Sequence, residues 1–328
     1  MIQVQGLTKR YGERLAIEDV SFEVASGEIL GFLGPNGAGK TTTMRILTGY
    51  LPPSAGTARI EGFDVQGEAD EVKKRVGYLP EFPPLYPELL VGEYLDYVAA
   101  LKGVPSAKRK EAVRRVAERC GIADVTGRLI NNLSKGYRQR VGIAQALVHD
   151  PKVIVLDEPT SGLDPNQIQE VRNLIREAAK DRTVILSTHI LQEVEALCHK
   201  VAIINHGKIV AVNRPEALSE QAGGGGRLRI RTARPPADET AFLRELSGIA
   251  GVSQAQAVTP GGGRHFEIRV GGALESREQV ASLVVGKGLG LLEMRDEGAR
   301  LEEVFHQLTA GEKVSSSTNG PASQGGAA

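Results

Sequence analysis

One stretch of the sequence decides the fold: Gly34-Pro35-Asn36-Gly37-Ala38-Gly39-Lys40-Thr41. It fits the pattern G-x-x-x-x-G-K-[ST] completely, and it lies between a predicted buried strand, Glu28 to Leu33, and a predicted helix, Thr41 to Leu47. Glycines let the backbone curl so that several N–H groups point at one phosphate, and the positive end of the following helix adds to that field. Lys40 can place its charge on the β- and γ-phosphates of a nucleotide, and the Thr41 hydroxyl can bind Mg²⁺. The stretch therefore predicts a phosphate-binding loop in preference to a glycine turn with a surface lysine.

Three further side chains follow predicted buried strands and suit the chemistry of a bound nucleotide. Asp157 and Glu158 follow the run Lys152 to Leu156, and His189 closes the run that begins at Thr183. In open α/β sheets, ligands bind outside the carboxyl ends of the strands, so these side chains should meet the loop at one edge. Asp157 can hold Mg²⁺ directly or through water, and Glu158 can take a proton from an attacking water molecule. Adjacent carboxylates are often only solvated and a single histidine is often structural, but the phosphate-binding loop favours the catalytic interpretation.

Weaker signals come from three other places in the chain. Ser134 is a good N-cap for a helix with apolar periodicity, and Gly136, two residues later, allows a backbone to approach closely. Asp164 ends a tight turn that begins at Ser161, just after the two carboxylates. Tyr11 lies in a turn after the first predicted strand, where its ring can stack on adenine. An ordinary capped helix, a surface turn and a surface tyrosine would have the same local sequences.

Composition limits the classes of protein to which the chain can belong. It has 328 residues, with 40 Lys+Arg and 40 Asp+Glu, so the formal net charge of zero argues against a whole-chain nucleic-acid binder. The two cysteines, Cys120 and Cys198, lie in helix-like stretches and are expected to be reduced. No segment approaches the ~20 apolar residues that cross a bilayer, and the start lacks an apolar signal core. The sequence therefore predicts a cytoplasmic protein that reaches a membrane only through a partner.

The order of predicted elements indicates two domains. Strands alternate with helices up to about residue 220, which predicts an α/β domain with a mostly parallel sheet, including one helical stretch from Val91 to Cys120. Residues 221–226 are expected to form a glycine-rich linker. Residues 227–310 follow the order β-α-β-β-α-β of a ferredoxin-like α+β domain. The tail, residues 311–328, is rich in Ser, Gly and Ala and is predicted to be disordered.

Taken in order along the chain, these motifs resemble those of the nucleotide-binding subunits of ABC transporters, over about residues 1 to 220. The resemblance implies a P-loop ATPase fold with an antiparallel β portion, a helical subdomain at about residues 82–150, and bound ATP with Mg²⁺. It assigns contacts with ATP to Tyr11, Gly34, Pro35, Asn36, Gly37, Ala38, Gly39, Lys40, Thr41, Thr42, Ser134, Gly136 and Asp164. It assigns Mg²⁺ ligation to Thr41, Asp157 and Glu81, and catalysis to Glu158 and His189.

The resemblance also implies how two copies assemble. Two subunits would form a head-to-tail dimer, either a homodimer or a heterodimer with a paralogue, that holds two ATP molecules between them. The helix capped by Ser134 would point its positive end at the γ-phosphate bound to the partner, and Gly136 would lie beside it. Asp164 would couple the two sites across the interface.

Two positions depart from the usual family pattern, which has Leu-Ser-Gly-Gly-Gln in the loop that begins at Leu133. Lys135 and Tyr137 replace Gly and Gln there, and Glu81 stands where the family usually has Gln, so that residue can bind Mg²⁺ but cannot donate a hydrogen bond. The run around Glu81, the run Leu133 to Arg140 and the run Leu301-Glu-Glu-Val-Phe305 resemble the ABC-2 exporter branch. That branch uses a separate transmembrane permease, which would meet residues 82–102 and keep the subunit at the cytoplasmic face of the membrane.

Two other functions compete with the exporter interpretation. A soluble ABC ATPase that acts on ribosomes or DNA usually has two cassettes in one chain or a long coiled-coil insertion. This chain has one phosphate-binding loop, no such insertion and no net positive charge. An importer ATPase would have a different C-terminal regulatory domain.

Overall fold

The computed structural model describes residues 1–218, 227–258, 266–272, 276–296 and 301–310. Two compact units divide the chain, Met1–Pro215 and Glu216–Ala328. The predicted linker at 221–226 and the predicted disordered tail at 311–328 lie outside the described residues.

Strands and helices alternate along most of the first unit. Its strands are β1 (Ile2–Tyr11), β2 (Arg14–Val24), β3 (Ile29–Leu33), β4 (Ala55–Ile60), β5 (Phe63–Asp64), β6 (Val76–Leu79), β7 (Val153–Asp157), β8 (Thr183–Thr188), β9 (Lys200–Asn205) and β10 (Lys208–Asn213). Its helices are α1 (Lys40–Leu47), α2 (Ala69–Arg75), α3 (Val91–Leu101), α4 (Ser106–Arg119), α5 (Lys135–Leu147), α6 (Pro165–Ala179) and α7 (Leu191–Leu197).

The central sheet of this unit is mostly parallel and has the strand order β10-β9-β3-β8-β7-β6. Pairing is parallel between β3 and β8, β3 and β9, β6 and β7, and β7 and β8, whereas β10 runs antiparallel to β9. Every residue of β3, β7 and β8 is buried, as expected for strands covered on both faces. Since β3, β8 and β7 are parallel neighbours, the segments that follow them meet at one edge of the sheet. The predicted mostly parallel sheet is confirmed.

A second, antiparallel sheet has the order β2-β1-β4-β5. In β2 the buried residues Val20, Phe22 and Val24 alternate with exposed ones, which gives the strand one core face. The two sheets share a core in which Phe22 and Phe32 have ring centroids 5.5 Å apart. Helix α1 adds Met44 to this core, so the helix that follows the phosphate-binding loop is held between the sheets. The sequence prediction found β1 and β2 only in part and did not include β4 and β5.

The stretch from Val91 to Cys120, for which helical spacing was predicted, is helical in the structure but is divided between two helices. Helix α3 ends at Leu101, and α4 begins at Ser106 with Pro105 as its N-cap residue. Gly103, with φ +78°, ends α3: the Val104 N–H donates back to Ala99 O at 2.9 Å, and Pro105 then sets the start of α4. Two short 3₁₀ turns, Ala123–Val125 and Ile130–Asn132, then lead to α5.

The second unit has the predicted β-α-β-β-α-β order. Its elements are β11 (Arg227–Thr232), α8 (Glu239–Ser247), β12 (Val252–Ala257), β13 (Phe266–Gly272), α9 (Arg277–Gly286), β14 (Leu291–Asp296) and α10 (Leu301–Ala310). The strands are all antiparallel, in the order β12-β13-β11-β14, which is a ferredoxin-like arrangement. Phe242 of α8 and Val280 of α9 pack with Ile230 and Ile268 of the sheet in one core.

Two further findings bear on the expectations from composition. No helix in the described ranges is long and apolar enough to cross a bilayer. Cys120 and Cys198 are free and buried, and burial is the main cause that raises the pKa of each thiol to about 12.

Candidate nucleotide-binding site

The loop between β3 and α1 has the geometry that phosphate binding requires. Gly39 is the N-cap of α1 with φ +110°, and a Cβ atom there would lie 2.5 Å from Ile17 Cγ2, so only glycine fits. Ala38 is buried, and its N–H donates to Pro35 O at 3.2 Å. No side chain caps α1, and its first turn has no acidic residue. The amides at the start of α1 therefore face no competing carboxylate of their own helix, which suits an anionic ligand.

Lys40 and Glu158 meet inside the site. The Lys40 ammonium is 6% exposed and donates to Gly34 O at 2.9 Å and to Pro35 O at 3.3 Å. Its Nζ also lies 3.2 Å from Glu158 Oε1, an ion-pair contact without the geometry of a hydrogen bond. The other oxygen, Glu158 Oε2, lies 2.8 Å from His189 Nδ1. A cation, a carboxylate and an imidazole thus come together from three different strand ends.

Asp157 is fully buried at the end of β7. Its Oδ1 accepts a hydrogen bond from Ser187 Oγ of β8, whereas its Oδ2 has no hydrogen-bond partner among the residues that the structure describes. Leaving a buried carboxylate oxygen unsatisfied is costly unless a further group binds it. Asp157 Oδ2 is therefore an acceptor suited to a hard cation or to a water molecule bound to one.

Glu158 has an unusual backbone conformation. Its φ is +50°, in the left-handed region that non-glycine residues rarely occupy. The Glu158 N–H donates to Ser187 O at 3.0 Å, and the Ser161 N–H donates to Glu158 O at 3.1 Å, which closes a tight turn. Gln139 of α5 adds another support, because its Nε2 donates to the buried carbonyl of Pro159 at 2.6 Å. Contacts with β8 and α5 thus hold the carboxylate in a strained but defined position.

A cleft of about 700 Å³ opens over these residues. The predicted site residues that line it are Tyr11, Asn36, Gly37, Gly39, Lys40, Thr41, Thr42, Glu81, Glu158 and His189. Tyr11 is at the end of β1, about half exposed, with Lys9 Nζ 5.5 Å from its ring centroid. One open face of an aromatic ring at the cleft suits a stacked base. Glu81 is exposed on the loop after β6.

Not all predicted site residues are among the described residues that line this cleft. Gly34, Pro35 and Ala38 of the loop and Asp157 at the end of β7 do not line it, and a second group, Ser134, Gly136 and Asp164, also lies apart from it. Ser134 Oγ accepts from Tyr137 N at 3.3 Å, which confirms it as the N-cap of α5. Asp164 Oδ1 accepts from Gln167 N at 3.0 Å and caps α6. A Cβ atom on Gly136 would lie 2.6 Å from Gln167 Cδ, so the two helix starts touch each other. We call Ser134, Gly136 and Asp164 the helix-start face.

Several residues of the site were missed in the sequence. Arg14, Ser161 and His206 also line the cleft. His206 lies in the turn between β9 and β10, which the parallel neighbours β3 and β9 bring to the same edge. Ser187 lies two residues before His189 on β8, and its hydroxyl donates to Asp157. It could have been found, because the parallel pairing of β7 with β8 places it beside Asp157.

Comparisons with known proteins agree with this geometry. Residues 17–161 match the family model described as ABC transporter. Over 308 residues, the chain is 37% identical to YxlF of Bacillus subtilis, an uncharacterised ABC transporter ATP-binding protein, and the alignment covers 93% of this chain and 98% of YxlF. Over 212 residues, it is 41% identical to the bacitracin transport ATP-binding protein BcrA of Bacillus licheniformis, covering 64% of this chain and 68% of BcrA.

The fold is also similar to that of a solved ATP-binding subunit of an ABC transporter. The TM-score is 0.62 at 30% sequence identity, and the match covers 68% of this chain and 93% of that subunit. The match to YxlF extends over nearly the whole chain, so the likeness is not confined to the phosphate-binding loop.

Proposed function

This chain belongs to the ABC transporter family of ATP-binding proteins, and we propose that it is the ATP-hydrolysing subunit of an ABC-2 type exporter. The single observation that carries the proposal is the meeting of Lys40, Glu158 and His189 beneath the cleft, beside the loop at Gly39. Such a site binds the phosphates of ATP and offers a carboxylate to the water that attacks the γ-phosphate. BcrA, with 41% identity, is a bacitracin transport ATP-binding protein, which favours transport over the alternative of a nucleic-acid or ribosome ATPase.

Nucleotide binding would use the loop first. The amides from Gly37 to Thr41 and the positive end of α1 would surround the phosphates, and Lys40 would place its ammonium on the β- and γ-phosphates. Tyr11 would stack on the adenine.

The residues around the cleft also fit Mg²⁺. The Thr41 hydroxyl, the unsatisfied Asp157 Oδ2 and the Glu81 carboxylate are hard oxygen donors of the kind that Mg²⁺ prefers. Within the described ranges, no group of three or more His, Cys, Asp or Glu side chains is arranged to hold a metal ion. When bound, Mg²⁺ would neutralise charge on the phosphates.

Hydrolysis would depend on Glu158 and His189. Glu158 Oε1, which contacts Lys40, and Oε2, which contacts His189, are both near the cleft floor. The carboxylate would accept a proton from the attacking water, and His189 would hold both Glu158 and the γ-phosphate in position. The closed turn at Glu158 would keep this geometry ready before the water arrives.

We further propose that two copies form a head-to-tail dimer. The helix-start face has two capped helix starts in contact, and neither is among the described residues that line the cleft of its own chain. Positive ends of helices attract phosphate, so this face would close over the nucleotide bound to the partner. A separate permease would hold the dimer at the cytoplasmic face of the membrane and would contact residues 82–102, where Phe82 is 81% exposed and Leu101 is 68% exposed.

A trapping experiment tests the proposal. Glu158→Gln keeps the shape of the side chain but removes the base and its charge, so this variant should bind ATP, hydrolyse it at least 100-fold more slowly and accumulate as a dimer in size-exclusion chromatography with Mg-ATP. Adding Ser134→Arg should prevent that dimer, whereas adding Ser106→Arg, at the exposed start of α4, should not. Normal hydrolysis by Glu158→Gln would refute the base. Equal dimerisation with Ser134→Arg would refute the head-to-tail contact.

A further inference from the structure

Glu193 is a buried carboxylate that the proposed mechanism does not use. It lies in α7, the helix that starts just after His189, and its side chain is fully buried. Its Oε2 accepts a hydrogen bond from Thr188 Oγ1 at 2.8 Å, and its Oε1 accepts one from Thr160 Oγ1. In the part of the chain that the structure describes, these two hydroxyls are its hydrogen-bond donors, and it forms no ion pair.

The two threonines belong to the two segments that carry the proposed catalytic groups. Thr160 lies inside the tight turn that begins at Glu158 and is closed by the Ser161 N–H. Thr188 is the last residue of β8, directly before His189. Thr188 Oγ1 also accepts a hydrogen bond from Ile190 N at 3.0 Å. The hydroxyl of the residue before His189 therefore binds the backbone of the residue after it. Through its two oxygens, Glu193 therefore links the turn of Glu158 to the strand end of His189.

A purely structural role explains this arrangement poorly. A buried carboxylate without a cation loses hydration that two neutral hydroxyl groups replace only in part. An apolar side chain in the same place would pack without that cost, as Val194 does next to it. The carboxylate does, however, supply two rigid acceptors that orient two separate segments at once, which no apolar side chain can do.

We propose that Glu193 is a positioning residue that sets Glu158 and His189 relative to each other, an inference that rests on the proposed ATPase mechanism. Glu158 holds a strained backbone with φ +50°, and such conformations persist only where the surroundings over-determine them. Losing the Thr160 anchor would let the turn relax, and losing the Thr188 anchor would let the His189 segment shift. A displacement of about 1 Å at a reacting group can lower turnover about 100-fold while leaving ground-state binding intact.

Isosteric substitutions of the two threonines test the proposal. Thr160→Val and Thr188→Val each remove one hydrogen bond to Glu193 and keep the side-chain shape, and we expect each to lower kcat by about 10- to 100-fold while the Kd for ATP changes less than about threefold. Thr160→Ser and Thr188→Ser restore the hydroxyl and should recover most of the lost kcat. Thr232→Val, which removes a buried hydroxyl bonded to Arg234 O in the second unit, is the matched control and should leave kcat unchanged.

A second measurement separates positioning from stability. Thr160→Val combined with Glu158→Gln should be no slower than Glu158→Gln alone, because the turn has no base left to orient. Glu193→Gln, which keeps one acceptor oxygen, should have a kcat between that of the wild type and that of the variant that combines Thr160→Val with Thr188→Val, with circular dichroism and ATP binding confirming the fold. Valine variants with normal kcat, or serine variants that recover nothing, would overturn the proposal. Normal turnover in Glu158→Gln would instead overturn the proposed mechanism on which it rests.

Discussion

Glu158 Oε2 and His189 Nδ1 are 2.8 Å apart although 31 residues separate them in the chain. Parallel pairing of β7 with β8 makes this contact possible, because Asp157 is in register with Ser187 and the next residues continue on the same edge. The contact joins a buried carboxylate, whose side chain is 10% exposed, to an imidazole that is 47% exposed. In this pair the carboxylate is buried and the imidazole is open to the cleft, so His189 is suited to connect the proposed base, Glu158, with a phosphate.

We predict that His189→Ala lowers kcat by about 100-fold and leaves the Kd for ATP within about threefold, since the imidazole orients Glu158 and the γ-phosphate but contributes little to the loop that binds the nucleotide. Phosphate release gives kcat, and a fluorescent ATP analogue gives the affinity. His306→Ala, at an exposed position of α10, is the control. An unchanged kcat in His189→Ala would contradict a role for the contact in turnover.

Lys40→Ala should behave differently from His189→Ala. The ammonium is held by the carbonyls of Gly34 and Pro35, so it is fixed where the phosphates would lie. Its loss should weaken ATP binding at least tenfold and bring hydrolysis below detection, because both the ground state and the transition state lose a charge contact. Equilibrium dialysis with ATP and a phosphate assay measure the two effects. Tight ATP binding by Lys40→Ala would argue against this loop as the phosphate site.

The third prediction concerns the effect of the Glu81 carboxylate on turnover. Glu81 is exposed and lines the cleft, where it could bind Mg²⁺ or orient water but could not donate a hydrogen bond. Glu81→Gln should retain ATP binding and change either basal turnover or its stimulation by the permease by at least about threefold. Turnover is measured with and without the permease in vesicles. If both rates equal those of the wild type, position 81 has no part in hydrolysis or coupling.

The catalytic edge could be predicted because it depends on local patterns. The loop before Lys40 has a specific sequence, and short apolar runs mark β3, β7 and β8, so the rule that ligands bind at strand ends brings Glu158 and His189 to the loop. The N-cap at Ser134 could also be read directly from its residue type.

Other features depended on contacts that the sequence does not display. The role of Glu193 is visible only when Thr160 and Thr188, which are 28 residues apart, are seen to share one carboxylate. The strands β4 and β5 are short and partly exposed, and β4 pairs with the distant strand β1 while β5 pairs with β4, so local patterns failed to reveal them. The break between α3 and α4 at Gly103 was not predicted, because apolar periodicity continues on both sides of it.

His149 is not among the described residues that line the cleft, and we expect it to affect the stability of the fold. It follows α5, and its Nε2 lies 3.2 Å from Val76 O at the start of β6, where Lys102 Nζ also donates at 3.2 Å. Burial, and secondly the charge of Lys102, lower the pKa of His149 to about 4 from its usual 6.5. Asp150, the next residue, acts in the opposite direction but more weakly.

We predict that His149 makes the protein less stable as the pH falls from 6.5 to about 4. In this window the unfolded chain binds a proton at His149 and the folded chain does not, so its stabilising contribution is full above pH 6.5 and is lost towards pH 4. At about 1.36 kcal/mol per pKa unit, the free energy of unfolding should fall by roughly 3 kcal/mol through this group. Urea unfolding at several pH values would measure it, with His149→Gln as the comparison, because glutamine can still donate to Val76 O but does not titrate.

Both proteins keep the other acid-sensitive groups, such as Asp64 and Asp150, whose pKa values are lowered by hydrogen bonds. The difference between the two stability curves therefore isolates His149, and parallel curves from pH 6.5 to 4 would show that its imidazole is protonated as easily in the folded chain as in the unfolded one.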